Sequence, residues 1–308
     1  MRRWLLYGFI ILFSVIWSSG FVAGKIAITE LDPFAVLTLR LLLSAALLSP
    51  FYFRQRECFR NRQAMRTGIT LGILNNAFYL GLTFSALRFI HPELVIVVVS
   101  TAPFLTTILA ACLSLEPINV YKVAGIATGF TGVLIITGIG SSPVPDVSGI
   151  ALALIGTVAF SIATVYFQGS AAGISVLPLT FWQSFAGAVV LLPVALLFRP
   201  KPGMPSLPTA VAVLYLSVVV TLGGMVLWLF LIRKTGATTA SAYHLLNPMF
   251  GALLSHFVLS TPIRQQDLVG IGVVTVGLLI TINARNRGKN RARAKRRRTL
   301  ARKPSPAS

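Results

Sequence analysis

Apolar runs of about twenty residues recur along the whole chain, separated by short polar breaks. They occupy roughly residues 5–25, 33–53, 67–88, 93–114, 121–139, 148–168, 178–198, 209–232, 238–259 and 267–283. A helix of that length crosses the hydrocarbon core of a bilayer. The two-residue alternation of a barrel strand is absent, so helices are the way this backbone satisfies itself in lipid. The pattern predicts an all-α membrane protein of ten transmembrane helices with no room for a separate soluble domain.

The breaks repeat. Shifting the chain by 145 residues lays Pro33 on Pro178, Phe53-Arg54 on Phe198-Arg199, Arg88 on Arg233, Pro103 on Pro248 and Pro117 on Pro262. The same shift lays Gly125-Ile126 on Gly270-Ile271, Gly132 on Gly277 and Leu134-Ile135 on Leu279-Ile280. Leu and Ile coincide by composition alone, but five Pro and Gly coincidences at one offset do not, so the chain is a duplicated unit. Each unit holds five helices, an odd number, so the second enters the membrane from the opposite face. The expected organisation is a first five-helix repeat over 1–143, an inverted second repeat over 144–284 and a disordered basic cytoplasmic tail over 285–308.

Composition agrees with a chain that lies mostly in lipid. Hydrophobic residues make up 55% and charged residues 11% of 308, against about 25% charged in soluble domains; mean hydropathy is +0.81. With both termini on the cytoplasmic side, that side holds 21 Lys and Arg against 5 on the other, and 10 against 5 without the tail. The positive-inside rule therefore places both termini in the cytoplasm, across a cytoplasmic (inner) membrane. Arg2-Arg3 before the first apolar run resembles a secretory signal, but the run is long and belongs to the repeat, so it reads as a retained helix. The tail from Arg285 to Lys303 carries most of the net charge of +20. It has no aromatic interleaving, so the expected partner is anionic lipid headgroups rather than nucleic acid. Cys58 and Cys112 lack metal-ligand spacing and read as structural thiols.

Polar residues inside an apolar span are costly and mark candidate function. On the first helix Ser14, Ser18, Phe21 and Lys25 share a face beside Trp17: a cavity wall, or serines bonded to their own helix with Lys25 reaching the interface. Arg40 lies seven residues into the second helix, about 10 Å from its end. It either meets a carboxylate ligand or pairs with Glu30 or Asp32 in the loop. On the third helix Asn76 and Tyr79 share a face with Gly72 and Thr83, and Asn75 is adjacent; they bond a substrate or a neighbouring helix. The ninth helix carries Tyr243, His244, Asn247 and Pro248. Proline cannot bond the carbonyl four residues back, which frees that of His244, and Pro103 does the same for Val99. Pro103 and Pro248 are thus candidate hinges, or else fixed kinks. Trp182, Gln183 and His256 carry weaker signals. Gly125, Gly129 and Gly132, with Gly270 and Gly277, form a small-residue seam between the fifth and tenth helices, or alternatively a homodimer face; a monomer or a homodimer is expected.

The candidate substrate-binding set is therefore Trp17, Ser18, Arg40, Asn76, Tyr79, Tyr243, His244 and Asn247. No carboxylate lies deep in a span to hold a cation, and no phosphate-binding Gly-Lys loop is present for a nucleotide-driven pump. His91, His244 and His256 are scattered without acidic partners, so no metal, no cofactor and no enzyme is expected. A small zwitterionic or anionic molecule fits these side chains, and a sugar phosphate, a cationic drug, a channel or a membrane enzyme are the alternatives.

Several motifs in order resemble those of the drug/metabolite transporter superfamily, in particular its ten-helix EamA-type exporters, over about residues 8–283. They are Trp17-Ser18-Ser19-Gly20-Phe21-Val22-Ala23-Gly24-Lys25, Pro33 with Arg40 seven residues on, Ala86-Leu87, Ala102-Pro103, and Glu116-Pro117 leading to Gly125 and Gly132. The resemblance implies a fusion of two units like the small multidrug transporters and the export of metabolites, amino acids above all, by alternating access. The first helix lacks the buried Glu with which the small multidrug transporters couple protons, and Thr261 stands where Glu116 would repeat.

Overall fold

Helix α1 runs Arg3–Ala27 and α2 runs Pro33–Arg54. Both belong to a computed structural model that describes residues 3–55, 57, 60–86, 88–90, 92–137, 146–170, 173–197, 205–259 and 264–301. Arg2, Arg56, Cys58, His91, Arg199, Lys201, Thr261, Pro262 and residues 302–308 lie outside this description, as do the side chains of Phe21 and Glu93. The helices continue as α3 (Arg62–Ala86), α4 (Pro92–Val99 and Ala102–Cys112), α5 (Val120–Thr137), α6 (Val147–Ser170), α7 (Val176–Leu197) and α8 (Leu207–Thr235). Then come α9, in three pieces (Ala237–Ala242, Tyr243–Leu246, Asn247–Leu259), and α10 (Gln265–Ala301). Strands are absent among the described residues.

Short polar side chains start these helices where the sequence breaks. Asp32 accepts from Phe34 N–H at 2.9 Å, Asn61 from Gln63 N–H at 2.9 Å, Asn119 from Tyr121 N–H at 3.0 Å and Asp146 from Ser148 N–H at 2.7 Å. Each satisfies an amide that the first helical turn leaves open.

Nine of the described helices are long and apolar enough to cross a membrane. The tenth expected span is α9, whose pieces of 6, 4 and 13 residues are each too short alone. Helix α10 continues through the stretch expected to be a disordered arm and stays helical to Ala301. Ala, Arg and Lys are strong helix formers, and no proline intervenes before Pro304.

The chain threads up and down. Gln63 bonds the carbonyl of Ser170 and Arg233 that of Ile174, which gathers the start of α3 with the ends of α6 and α8 on one face. This is the face on which α1 begins, and it is called the N-terminal face below. On the opposite face Glu30 accepts from the hydroxyl and the amide of Ser206, and Arg264 donates to the carbonyl of Ile136.

Helices α5 and α10 pack along their full length through glycine. A Cβ placed on Gly132 would stand 2.6 Å from Val274 N and 2.8 Å from Gly270 O; one on Gly277 would stand 2.6 Å from Gly125 O and 2.7 Å from Gly129 Cα. Residue numbers rise on one helix as they fall on the other, so the two repeat-related helices run antiparallel and the repeat is inverted. The contacts Gly132–Val274 and Gly129–Gly277 exchange under the 145-residue shift, which places the pseudo-twofold between them.

Both repeats carry the same irregularities. Helix α3 is π-helical over Gly72–Leu80 and α8 over Leu216–Gly224, one residue from repeat register. Helix α4 breaks at Ser100-Thr101 and α9 narrows to a 3₁₀ turn at Tyr243–Leu246, just before Pro103 and Pro248. The carbonyl of His244 is not left free as expected: the 3₁₀ turn lets Asn247 N–H take it. Tightening the turn by one residue supplies the donor that proline withholds.

On the N-terminal face an ion pair of the first repeat is set against the start of the second repeat's α9. Glu116 pairs with Lys122 at 2.9 Å, both side chains nearly buried, and its carboxylate abuts Gly236 at the start of α9. The neighbouring Ala237 N–H donates to Gln168 Oε1. Gly236 has φ +86°, open to glycine and strained for other residues. Gly236→Ala is expected to cost about 1–3 kcal/mol, from strain plus the collision with Glu116. Thermal unfolding in detergent checks this, and an unchanged midpoint would contradict the packing.

Candidate functional site

One buried cluster gathers the centre of the bundle from every helix except α2. At its middle stands His244, 5% exposed, with four aromatic rings around it. Ring centroids lie 4.6 Å away for Trp228, 5.1 Å for Phe160, 5.2 Å for Trp17 and 5.3 Å for Phe13, all meeting the imidazole steeply. Trp228 is itself stacked with both Phe13 and Phe160, and Tyr79 extends the group against Phe160 at 4.8 Å.

The ring nitrogens of His244 differ. Nδ1 meets the side-chain amide nitrogen of Asn247 at 2.9 Å, so the neutral ring carries its proton on Nε2. Nε2 is buried without a hydrogen-bond partner among the described residues, and so is Asn247 Oδ1. Ser18 donates to the backbone carbonyl of Asn247 at 3.1 Å, pinning α1 to the broken part of α9. Of the α1 stripe, Ser14 and Ser18 are fully buried and Lys25 is exposed.

Arg40 stands apart from this cage. It lies where α2 meets α8, and its Nε donates to Thr221 Oγ1 at 3.0 Å. Thr221 in turn donates to the carbonyl of Leu216, five residues back in the π segment. The loop carboxylates are engaged elsewhere: Asp32 caps α2 and sits 3.9 Å from Arg88, and Glu30 is held below the usual carboxylate range by the Ser206 hydroxyl and then its amide. Thr221 and Met225 are one turn apart on α8, about 6 Å along its axis.

Asn76 is not aimed at the centre. Its amide donates to the carbonyl of Gln183 at 3.1 Å, seating α3 on α7, where Gly72 and Gly187 let the backbones approach. The adjacent Asn75 instead lines a narrow cavity of about 10 Å³, with Gln183, Met225 and Trp228. Gln183 was a weak sequence signal near a helix end, yet it is 1% exposed and central. Phe13, Phe160 and Trp228 were not singled out at all.

A wider mouth opens on the N-terminal face. It holds about 400 Å³ and is lined by Arg62, Gln63, Arg66, Thr67, Tyr166 and Ser170. Along α3 the mouth, the narrow cavity and the cage follow in order at residues 63–67, 71–75 and 79; along α6 they follow at 170–166, 167–163 and 160. The three thus lie at successive depths along α3 and α6, from that face toward the level of His244. Among the described residues no cluster of His, Cys, Asp and Glu has the makings of a metal site.

A model of the EamA-like transporter family matches residues 4–138 and again 147–283. An uncharacterized transporter of Archaeoglobus fulgidus is 25% identical over 288 residues, covering 92% of this chain and all of that protein. The uncharacterized inner membrane transporter YedA of Escherichia coli is 21% identical over 89% of this chain and 90% of its own. Protein PecM of Dickeya dadantii is 26% identical over 68% of this chain and 71% of its own. A solved crystal structure superimposes with a TM-score of 0.79 at 18% identity, over 92% of this chain and 99% of the other, which establishes the shared fold. A helical bundle duplicated and inverted about its own glycine seam, with the family's pattern found in each half, makes this chain a member of the EamA-like transporter family.

Proposed function

We propose that this protein is a secondary transporter that exports small zwitterionic or anionic metabolites, amino acids foremost, by alternating access of its two repeats. The observation that carries the reading is Arg40. A guanidinium held inside an apolar span against a single neutral hydroxyl has its remaining donors to offer, and their planar fork matches a carboxylate. No acidic side chain pairs with it among the described residues.

Charge supports the direction. The positive-inside rule makes the N-terminal face cytoplasmic, so the wide mouth with Arg62 and Arg66 admits substrate from the cytoplasm of an inner-membrane carrier. The central cage is filled by its own rings, and passage requires the repeats to move at the breaks before Pro103 and Pro248.

Reconstituted protein tests this reading by counterflow of labelled amino acids into preloaded vesicles. Saturable exchange is expected, and linear flux without saturation would mark a channel instead. His244→Phe keeps a ring inside the cage and removes both ring nitrogens. It is expected to lower exchange about tenfold with little change in melting temperature; full activity would remove His244 from the site.

A further inference from the structure

Asn75 and Gln183 present a hydrogen-bonding imbalance at the narrow cavity. Asn75 is 5% exposed and Gln183 1%, both line that cavity, and neither Asn75 Oδ1 nor Gln183 Oε1 has a partner among the described residues. The Gln183 amide nitrogen lies 3.5 Å from Met225 Sδ. Sulfur accepts and does not donate here, which turns the amide oxygen away from it. The one hydroxyl in the wall, Thr164, is spent on the carbonyl of Phe160. Apart from the indole of Trp228, the remaining wall is apolar, with Ala163, Leu229 and Ile232. Two buried amide oxygens beside the cavity are thus left without donors, next to a space about the size of one water.

A ligand that matches this arrangement brings several donors on one compact head and an apolar body. A primary ammonium has that form, with three N–H donors within the volume of a water. We propose that Asn75 and Gln183 form the subsite for the substrate's amino group. This deepens the reading of the protein as a carrier of zwitterions and rests on it. Along α3 and α6 the site lies at a depth between the mouth and the cage. Met225, which contacts Gln183, is one helical turn from Thr221, the partner of Arg40, so the two ends of a small zwitterion address adjacent turns of α8. Neutral amides hold an ammonium less firmly than a carboxylate does and exchange no proton with it, which suits a step that must also release its cargo.

Isothermal titration of the full-length protein in detergent tests the subsite with three probes of one carbon skeleton: 3-methylbutylamine, 3-methyl-1-butanol and 4-methylpentanoate. The amine is expected to bind at least about tenfold more tightly than the alcohol, because charged donors make the stronger bonds. Asn75→Leu and Gln183→Leu should each weaken the amine about tenfold and leave the alcohol and the acid within about twofold. Gln183→Glu should tighten the amine, and it decides the matter alone if the leucine variants fail to fold. Failure of the wild type to bind the amine, equal binding of amine and alcohol, or leucine variants that bind as the wild type does would each overturn the assignment. The titration needs no transport, so a carrier found to move another cargo would leave a positive result standing. Amino-acid counterflow that is indifferent to all three substitutions would reject the subsite and keep the carrier.

Discussion

Gly277→Ala is expected to destabilise the bundle by about 1–3 kcal/mol or more, and Gly277→Leu to prevent its assembly. The atoms that an added methyl would meet are Gly125 O and Gly129 Cα, at 2.6 and 2.7 Å. Both are backbone, so no side chain can swing aside, and relief comes only from parting α5 and α10. These two helices carry the pseudo-twofold, and parting them opens a seam between the repeats. Gly272 lies on the same helix with nothing within 4 Å of its would-be Cβ. Gly272→Ala should therefore be neutral or gain up to about 1 kcal/mol of helix propensity. Thermal unfolding of the matched pair in one detergent reads the difference. Equal midpoints for Gly277→Ala and Gly272→Ala would mean that the helices are not seated as described. The same seating turns the glycine seam inward, within one chain, rather than toward a second copy.

The seam, the inversion and the helix breaks were legible because glycine and proline act through the backbone. A glycine every three or four residues states how close two helices come, and a proline in mid-span states where a helix cannot continue. Spans were legible from length, apart from α9, where the break leaves no single piece long enough to cross. Side-chain direction was less legible. A step of 100° per residue puts Asn76 on one face with Gly72 and Tyr79, toward either a cavity or a neighbouring helix. Gly72 and Asn76 do share a face, and it is the face that meets the α7 backbone; Asn75, four residues before Tyr79, meets the cavity. Nothing in the composition of that segment announces which of the two neighbouring faces meets the cavity.

The cage was hidden for a different reason. Among 20 Phe and 4 Trp in a membrane chain, Phe13, Phe160 and Trp228 carry no local mark of where they lie. Only the tertiary arrangement converges them on His244. One signal was available: Phe13 stands one turn before Trp17 on the stripe already noted. The 145-residue shift carries Phe13, Trp17, Trp228 and His244 onto or from Val158, Ile162, Thr83 and Val99. The frame is symmetric and its aromatic chemistry is not, so the divergent positions are where a single asymmetric substrate can be read by a nearly symmetric fold.

Arg40→Met should separate function from stability more sharply than any other substitution in this chain. The guanidinium sits inside an apolar span with one hydroxyl partner, and charge in that setting opposes folding unless a ligand or counter-ion repays it. Methionine fills similar space, so the unliganded variant should melt at or above the wild-type temperature. Exchange of a zwitterion should fall about 10- to 100-fold, the loss expected when a carboxylate forfeits hydrogen bonds to a charged group of about 1.5–3 kcal/mol. Arg40→Lys keeps the charge but presents a point rather than a fork, and it should restore only part of the exchange. Counterflow and thermal unfolding on the same preparations distinguish the outcomes. If the methionine variant melts far below the wild type and transport falls with it, Arg40 serves the α2–α8 contact through Thr221. If it transports as the wild type does, the carboxylate is held elsewhere, and the case for a zwitterion falls back on the amides of α3 and α7.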